Sequence, residues 1–332
     1  MLYGNTEVQT EILEQVKNFE KKYNKKVIFG AMVGSISKGL ERYDSDYDTR
    51  FLYLDQSEHD FVRWDKIEGE IAEEQIHMCY IPERMDCYIG GSDYRDKYRE
   101  YELGDKSYFY DKIAFWELTS FINFLKKPKL DNKFSVGLYH IVSWTFNSPY
   151  CWDPYGIASK INCLLDEMFV PEYEIQYYRN YILKAQKKEP MMIREYLYSA
   201  YYALAIEYCL KHNRFAPVYF KSLLAMCMNE RLEKTILELE RGYYELVAKA
   251  INSGKGYERK MADLFSTYRN DIIDNFLNEV LAKTEKYQCN DFRGIEVNYV
   301  GEIIEIILDS LKRPEVKDIN VASCKVFAPS DR

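Results

Sequence analysis

Residues 27–54 read VIFGAMVGSISKGLERYDSDYDTRFLYL, and this stretch decides how the whole chain is interpreted. Its first part, 27–33, is a short apolar run rich in strand-forming residues that stops at Gly34 and Ser35. A second strand is predicted over 47–54, with a turn or short helix before it. The stretch therefore predicts two neighbouring strands joined by a glycine-serine turn.

Two features of this stretch favour phosphate chemistry. At a strand-to-helix turn, Gly34 and Ser35 can present backbone N–H groups and a hydroxyl to an anion. Asp46 and Asp48 stand two residues apart on the second strand, so both carboxylates project from one face. Paired carboxylates are suitable ligands for Mg²⁺ when water and substrate phosphates fill the remaining positions. Two such ions can assist a phosphoryl or nucleotidyl transfer, and Mn²⁺ is an alternative ion.

The same residues resemble the signature of the DNA polymerase beta-like nucleotidyltransferase superfamily. More narrowly, Gly34-Ser35 followed by the run 45–53 is similar to the RlaP-like group of predicted nucleotidyltransferases, which is associated with RNA repair. Three later stretches resemble the same group: 115–118, 147–150 and 196–218. The chain departs from the group at Ile36-Ser37-Lys38, where the group has Arg-Ala-Trp or a similar run. A basic residue frequent in the later Tyr-Leu-Tyr helix is also not evident here.

The resemblance implies a third carboxylate that completes the metal site and helps deprotonate the attacking hydroxyl. Asp111 is the candidate, because it lies in the strand-like run 107–115. Asp86 and Glu117 are the alternatives. Glu117 is also expected to open a helix, where an acidic residue in the first turn is favourable without any catalytic role.

Several basic and aromatic residues are candidates for contacts with the nucleotide or with nucleic acid. Strand parity places Arg50 on the face of Asp46 and Asp48, from which it can bind phosphate or hold a carboxylate. Lys184 is a further candidate, although a solvated helix face also explains it. The candidates for nucleotide binding are Gly34, Ser35, Lys38, Arg42, Arg50 and Lys184. Tyr177, Tyr178 and Tyr181 suit base stacking, and helix packing explains them equally well.

Helical periodicity dominates the chain on either side of the strand region. A helix is predicted over 7–23, and others over 116–127, 133–146, 155–168, 173–187, 190–212, 217–251, 257–284 and 298–312. We therefore predict an α+β fold: a polymerase beta-like palm with a mixed sheet, followed by an all-helical domain. The predicted limits are 1–128 for the first domain, 129–313 for the second and 314–332 for a tail.

Charge, cysteine content and hydropathy exclude several classes of protein. The 332 residues carry a formal net charge of -8, which argues against coating nucleic acid through bulk charge. Eight cysteines are scattered without a Cys-x-x-Cys pair, so reduced thiols and no disulfide-linked partner are expected. No apolar run reaches the length of a membrane helix and the first residues are not signal-like, so a cytoplasmic protein without membrane contact is expected.

The sequence thus predicts a Mg²⁺-dependent nucleotidyltransferase that uses an NTP and an acceptor hydroxyl. RNA ends are the acceptor that the resemblance implies, while a protein hydroxyl and an aminoglycoside-like small molecule are open alternatives. A nucleotide-binding protein with the same fold but without catalysis is the alternative from another class. The preferred base and the oligomeric state are not predicted.

Overall fold

A computed structural model describes residues 6–40, 48–55, 112–118, 145–188, 191–252, 269–287 and 297–312 of the chain. Its strands are β1 (Lys25–Met32), β2 (Asp48–Asp55), β3 (Lys112–Glu117) and β4 (Cys151–Trp152). Its helices are α1 (Thr6–Tyr23), α2 (Gly34–Lys38), α3 (Ile157–Leu165), α4 (Pro171–Gln186), α5 (Ile193–His212), α6 (Phe220–Leu224), α7 (Glu230–Asn252), α8 (Asp271–Lys283) and α9 (Val297–Leu311). Within these ranges, every helix is too short or too polar to span a membrane.

The four strands form one mixed sheet in the order β3-β2-β1-β4. Strand β1 is antiparallel to both of its neighbours, while β2 and β3 run parallel with Asp48 aligned to Lys112 and Tyr53 to Glu117. The short β4 pairs Cys151 with Ala31. The predicted α+β class with a mixed sheet is therefore confirmed.

One face of the sheet packs on helix α1. Strand residues Val27, Met32, Phe51 and Tyr53 are buried with the α1 residues Ile12, Val16 and Phe19 and with Ile36. Helix α1 can pack there because its apolar residues recur at three- and four-residue steps and so lie along one side of the helix. Close contact is required at Gly30, where a Cβ atom would overlap the Phe51 ring. This packing holds β1 and β2 in register up to the end where the glycine-serine turn lies.

The chain divides into two compact units. Described residues up to 168 belong to the first unit together with 297–312, and residues 169–287 belong to the second. Helix α5 is the centre of the second unit, since α4, α6, α7 and α8 all contact it. The hydrophobic residues along α5 are buried on nearly every side. The predicted domain limits stay predictions, because 119–144 and 313–332 lie outside the described residues.

Several predicted elements differ from the observed ones. The strand predicted over 107–115 is described from Lys112 and continues to Glu117, so the helix predicted from residue 116 begins later. The long helix predicted over 217–251 is two helices, α6 and α7, separated by residues 225–229. Strand β4 was not predicted. Helices predicted over 7–23, 173–187 and 298–312 are confirmed to within two residues at each end.

Candidate functional site

Strand β1 ends in a turn that only glycine fits well. Val33 is extended, and Gly34 follows with φ +77, in the left-handed region that L side chains disfavour. Gly34 is also the first residue of the short helix α2, which ends at Gly39 with φ +67. The amide of Leu40 donates to the Ser35 carbonyl oxygen over 3.0 Å, closing the helix. The turn is thus a tight, locally determined structure.

The Asp48 carboxylate lies directly against this turn. A Cβ atom at Gly34 would overlap Asp48 Oδ2 and would lie 3.2 Å from Asp48 Cγ. The Val33 amide donates to the Asp48 carbonyl oxygen over 2.8 Å, which joins the end of β1 to the start of β2. The structure therefore places the Asp48 carboxylate beside the Gly34 turn.

Other predicted residues of α2 lie around the same turn. Ser35 is half-buried. Lys38 is 3% exposed, and its ammonium group donates to the Gly34 carbonyl oxygen over 3.0 Å. The Ser37 hydroxyl donates to the same oxygen over 3.0 Å. Lys38 thus helps to hold the turn, and its ammonium group has further N–H donors beyond this hydrogen bond.

Arg50 shares a face of β2 with Asp48. The two residues are two positions apart in one strand, so their side chains project from the same side of the sheet. Arg50 is half-buried and is aligned with Ala31 on β1 and Ala114 on β3. The residues beside Arg50 on the two neighbouring strands are thus both small.

The remaining carboxylates of the predicted metal site are only partly described. Asp46, Asp111 and Asp86 lie outside the described residues, as does Arg42. Where the structure does describe side chains, no three of His, Cys, Asp or Glu cluster closely enough to hold a metal ion. Of the predicted metal ligands, the structure describes Asp48 alone.

The strand register distinguishes two of the candidates for the third carboxylate. Lys112, which follows Asp111 in the chain, is aligned with Asp48. Glu117 is aligned with Tyr53, five residues farther along the parallel pair. At about 3.3 Å per residue this places Glu117 about 16 Å along the strand from the level of Asp48, beyond the reach of both side chains. The register therefore argues against Glu117, while Asp111 lies outside the described residues and stays a prediction.

Ser148 belongs to this site but was not singled out as a site residue from the sequence. It is 4% exposed, and its hydroxyl donates to the Met32 carbonyl oxygen over 2.6 Å. The Met32 amide in turn donates to the Tyr150 carbonyl oxygen over 2.9 Å. The segment 147–150 is thus fastened to β1 two residues before Gly34. The signal in the sequence was the resemblance of this segment to the RlaP-like group. That resemblance does not indicate which residues the segment contacts.

Asp153, close in sequence to Ser148, has a structural role. Its carboxylate accepts hydrogen bonds from the amides of Ile157 (2.7 Å) and Ala158 (2.9 Å) and so caps helix α3. Burial raises the pKa of the Asp153 carboxyl above its ordinary value, and the hydrogen bonds from the amides oppose that rise. Asp153 is accordingly committed to α3 and is a poor candidate for the metal site.

Loss of the Ser148 hydroxyl is expected to destabilise the first unit. Ser148→Ala leaves the buried Met32 carbonyl oxygen without this donor, so we expect a loss of about 1–3 kcal/mol in the free energy of unfolding, measured by urea denaturation. Ser159→Ala is the matched control, because the Ser159 hydroxyl makes an exposed bond to the Gly156 carbonyl oxygen. Equal losses in the two variants would contradict the assigned role.

The remaining predicted residues lie in the second unit. Lys184 is exposed on α4. Tyr178 is fully buried, whereas Tyr177 and Tyr181 are half-buried and pack against Tyr202 of α5, with ring centroids 6.2 Å and 4.5 Å away. Tyr178 donates to the buried Glu174 carboxylate; burial and then that carboxylate raise the Tyr178 pKa well above its ordinary value. Helix packing therefore accounts for Tyr178.

Comparison with known proteins supports the interpretation of the N-terminal region. Residues 8–77 match the model of a family described as RlaP, RNA repair pathway DNA polymerase beta family. The resemblance to RlaP is confirmed over this segment. The match contains the glycine-serine turn together with Asp46 and Asp48, and it extends over α1, β1, α2 and β2. It ends before the resemblances noted over 115–118, 147–150 and 196–218.

A curated relative covers more of the chain. The chain is 24% identical over 251 residues to the uncharacterized protein YcgL of Bacillus subtilis (strain 168), covering 73% of this chain and 80% of that protein. No solved structure matches the chain significantly. The similarity to YcgL extends the likeness beyond residue 77 without adding an activity.

Proposed function

We propose that this protein is a divalent-metal-dependent nucleotidyltransferase that moves an NMP from an NTP to an acceptor hydroxyl. The observation that carries the proposal is the contact between the turn at Gly34 and the Asp48 carboxylate. A turn able to bind polyphosphate and a metal-ligating carboxylate must adjoin for this chemistry, since metal ions bridge the protein to the phosphates. The RlaP match over this segment supports the same activity.

The residues at the site fit a Mg²⁺ ion. The absent Cβ of Gly34 makes room for the Asp48 carboxylate, which offers hard oxygen ligands of the kind that Mg²⁺ prefers. Asp48 would hold the ion together with Asp46 and Asp111, with two ions expected and Mn²⁺ as an alternative. When bound, the ions supply positive charge beside the reacting phosphates.

The protein's own groups orient the triphosphate. The Gly34-Ser35 turn offers backbone N–H groups and the Ser35 hydroxyl as donors to phosphate oxygens. Arg50, on the same face of β2 as Asp48, contributes a guanidinium that neutralises phosphate charge. Lys38 and Arg42 are further charge partners. Such prearranged donors stabilise charge that develops in the transition state.

The reaction is an in-line displacement at the α-phosphorus. The acceptor hydroxyl oxygen forms a new bond to the α-phosphorus, and the bond from that phosphorus to the bridging oxygen of the β-phosphate breaks. Pyrophosphate leaves with the electron pair of the broken bond, and the hydroxyl proton passes to the third carboxylate, for which we propose Asp111. The acceptor leaves as its NMP ester.

The acceptor that we propose is the hydroxyl of an RNA end. The family whose model matches is described as part of an RNA repair pathway, and this description supports RNA over other acceptors. To test it, the protein is incubated with α-labelled NTPs, Mg²⁺ and either total RNA or RNase-treated cell lysate. Label in the RNA fraction alone is expected. Label confined to protein or to small molecules would contradict the RNA acceptor but would still support nucleotidyl transfer.

Substitutions of Asp111 and of Glu117 test the assignment of the third metal ligand. Asp111→Asn is expected to reduce the transfer rate at least about a hundredfold, because a charged ligand and proton acceptor is lost. Glu117→Gln is the control, and it should change the rate less than about threefold because Glu117 is aligned with Tyr53 rather than with Asp48. A larger loss in Glu117→Gln than in Asp111→Asn would overturn the assignment.

A further inference from the structure

Five residues form a partly exposed surface on the second unit, here called the tyrosine-arginine surface. Tyr177, Tyr181 and Lys184 lie four and three residues apart on α4, so they share one face of that helix. Arg194 and Tyr198 lie four residues apart on the adjoining helix α5. The two helices pack closely, with the Tyr181 and Tyr198 ring centroids 6.2 Å apart.

Tyr202 of α5 packs against two rings of this surface. Tyr202, which is 3% exposed, lies 4.5 Å from Tyr181 and 6.2 Å from Tyr177 between ring centroids. Tyr177 and Tyr181 remain half-buried, so part of each side chain reaches solvent. Such a ring is a suitable platform for a flat base, because packing already restricts its motion and binding then costs less conformational entropy.

Arg194 adds a positive charge beside these rings. Its side chain is exposed, and its guanidinium lies over the Tyr198 ring, with Cζ 5.5 Å from the centroid. The group is hydrogen-bonded to the Tyr198 side chain and interacts with Tyr243 and Tyr181. Among the described residues, no carboxylate lies within ion-pair distance of it. The guanidinium is thus oriented by tyrosines while its charge stays available to an anion.

Two buried carboxylates near this surface, on α5 and α7, are paired with lysines. Glu195, next to Arg194 in the chain, is 8% exposed and pairs with Lys188. Glu240 of α7 is 6% exposed and pairs with Lys221. Lys184 is exposed on the same α4 face as the tyrosines. The two charged residues of the surface itself, Arg194 and Lys184, are both basic and exposed, although the chain as a whole carries -8.

We infer that the tyrosine-arginine surface binds a single-stranded polynucleotide, with Arg194 and Lys184 on phosphates and bases stacked on Tyr181 and Tyr177. Cationic groups interleaved with aromatic rings suit this ligand, because every base offers a flat face and every linkage a negative charge. The inference rests on the proposed function for the purpose of binding, since a transferase that acts on a polynucleotide end needs to hold the strand. Binding itself needs neither NTP nor metal.

Binding of a fluorescein-labelled 12-nucleotide RNA to the full chain, without NTP or divalent ions, tests the inference by fluorescence anisotropy. Two phosphate contacts predict that log Kd rises with log salt with a slope of about 1.4. Arg194→Gln should weaken binding about tenfold and lower the slope by about 0.7. Arg241→Gln is the matched control, because Arg241 is exposed on α7 and pairs with Glu245, and it should change neither value.

The stacking role has its own matched pair. Tyr181→Leu removes the ring and should weaken binding about tenfold, whereas Tyr181→Phe keeps the ring and should bind normally. Thermal melting of both variants checks the fold; if Tyr181→Leu melts early, Lys184→Gln tests the surface through its second phosphate contact instead, with an expected loss of about fivefold. Unchanged affinity in Arg194→Gln, or a duplex that binds as tightly as the single strand, would overturn the inference.

Two further measurements distinguish this inference from the proposed function. Single-stranded DNA of the same sequence shows whether the surface prefers RNA; equal affinity supports a general single-strand surface. Asp48→Asn is expected to bind RNA with unchanged affinity while losing transfer. Binding without transfer in the unmodified protein would refute the proposed function alone. Transfer to RNA that is unaffected by Arg194→Gln, together with unchanged binding, would refute the tyrosine-arginine surface alone.

Discussion

Asp48→Asn is expected to lower NMP transfer by at least about a thousandfold while the protein stays folded. The amide keeps the shape of the side chain but removes the negative charge that a divalent ion requires. The Asp48 carbonyl oxygen still accepts the hydrogen bond from the Val33 amide, so the join between β1 and β2 survives. Initial rates with saturating Mg²⁺ and NTP, together with a thermal melt, measure both effects.

Asp166→Asn is the control for this charge change. Asp166 is an exposed carboxylate that follows α3 in the same unit, and its substitution should leave the rate within about twofold of the unmodified protein. Transfer that persists in Asp48→Asn at more than a tenth of the normal rate would show that this carboxylate holds no catalytic metal.

Gly34→Ala should abolish transfer and destabilise the protein. The left-handed φ of +77 costs an alanine about 1–2 kcal/mol, and the added methyl group would overlap the Asp48 carboxylate. The carboxylate must then move away from the turn, which separates the two halves of the site. Transfer rates and the free energy of unfolding measure the two consequences separately.

Gly156→Ala isolates the backbone part of this effect. Gly156 also has a left-handed φ, +68, but no atom lies within 4 Å of the position that its Cβ would occupy. The Gly156→Ala protein should lose a similar free energy of unfolding because of the unfavourable φ alone, without any steric overlap. It should keep its transfer activity. A Gly34→Ala protein that retains normal transfer would contradict the proposed contact between turn and carboxylate.

The segment from α1 to β2 was predictable because its signals are local. Apolar periodicity marks α1, a run of strand formers marks β1, and glycine with an adjacent serine marks the turn. The second carboxylate of the Asp-x-Asp spacing, Asp48, then begins β2. These features depend on residues a few positions apart, so sequence alone determines them.

Strand β4 depends on a contact that sequence spacing does not reveal. Cys151 and Trp152 make only two residues of strand, too few to give an alternating pattern, and their partners on β1 lie about 120 residues earlier in the chain. The same distance hides the hydrogen bond from Ser148 to Met32. Long-range pairing of this kind emerges from the folded sheet rather than from local propensity.

The errors at element boundaries also have physical causes. Pairing with Phe51 to Tyr53 of β2 keeps Phe115 to Glu117 in a strand, although the residues after 115 have helical periodicity. The break between α6 and α7 was hidden by continued apolar spacing. It is marked by Asn229, whose side-chain oxygen accepts from the Leu232 amide and caps α7, followed by acidic residues in the first turn.

The role of the candidate site stays a prediction, but the positions of two of its residues can be compared with the sequence pattern. Gly34 and Asp48 adjoin as expected, but Lys38, which the sequence offers as a phosphate ligand, is buried against the Gly34 carbonyl oxygen. A lysine four residues after a turn can reach either solvent or the turn itself, and only packing decides between them. The exposed Arg194 was not predicted, because its partners Tyr198 and Tyr181 come from two helices.

The transfer of label from NTPs labelled at either end of the triphosphate tests the central claim most directly. With Mg²⁺ and total RNA, label at the α-phosphate should become acid-precipitable, while label at the γ-phosphate should appear in pyrophosphate in equal amount. Asp48→Asn should do neither. Precipitable label from the γ-phosphate, or no transfer from any of the four NTPs to RNA, protein or small molecules, would contradict nucleotidyl transfer by this site.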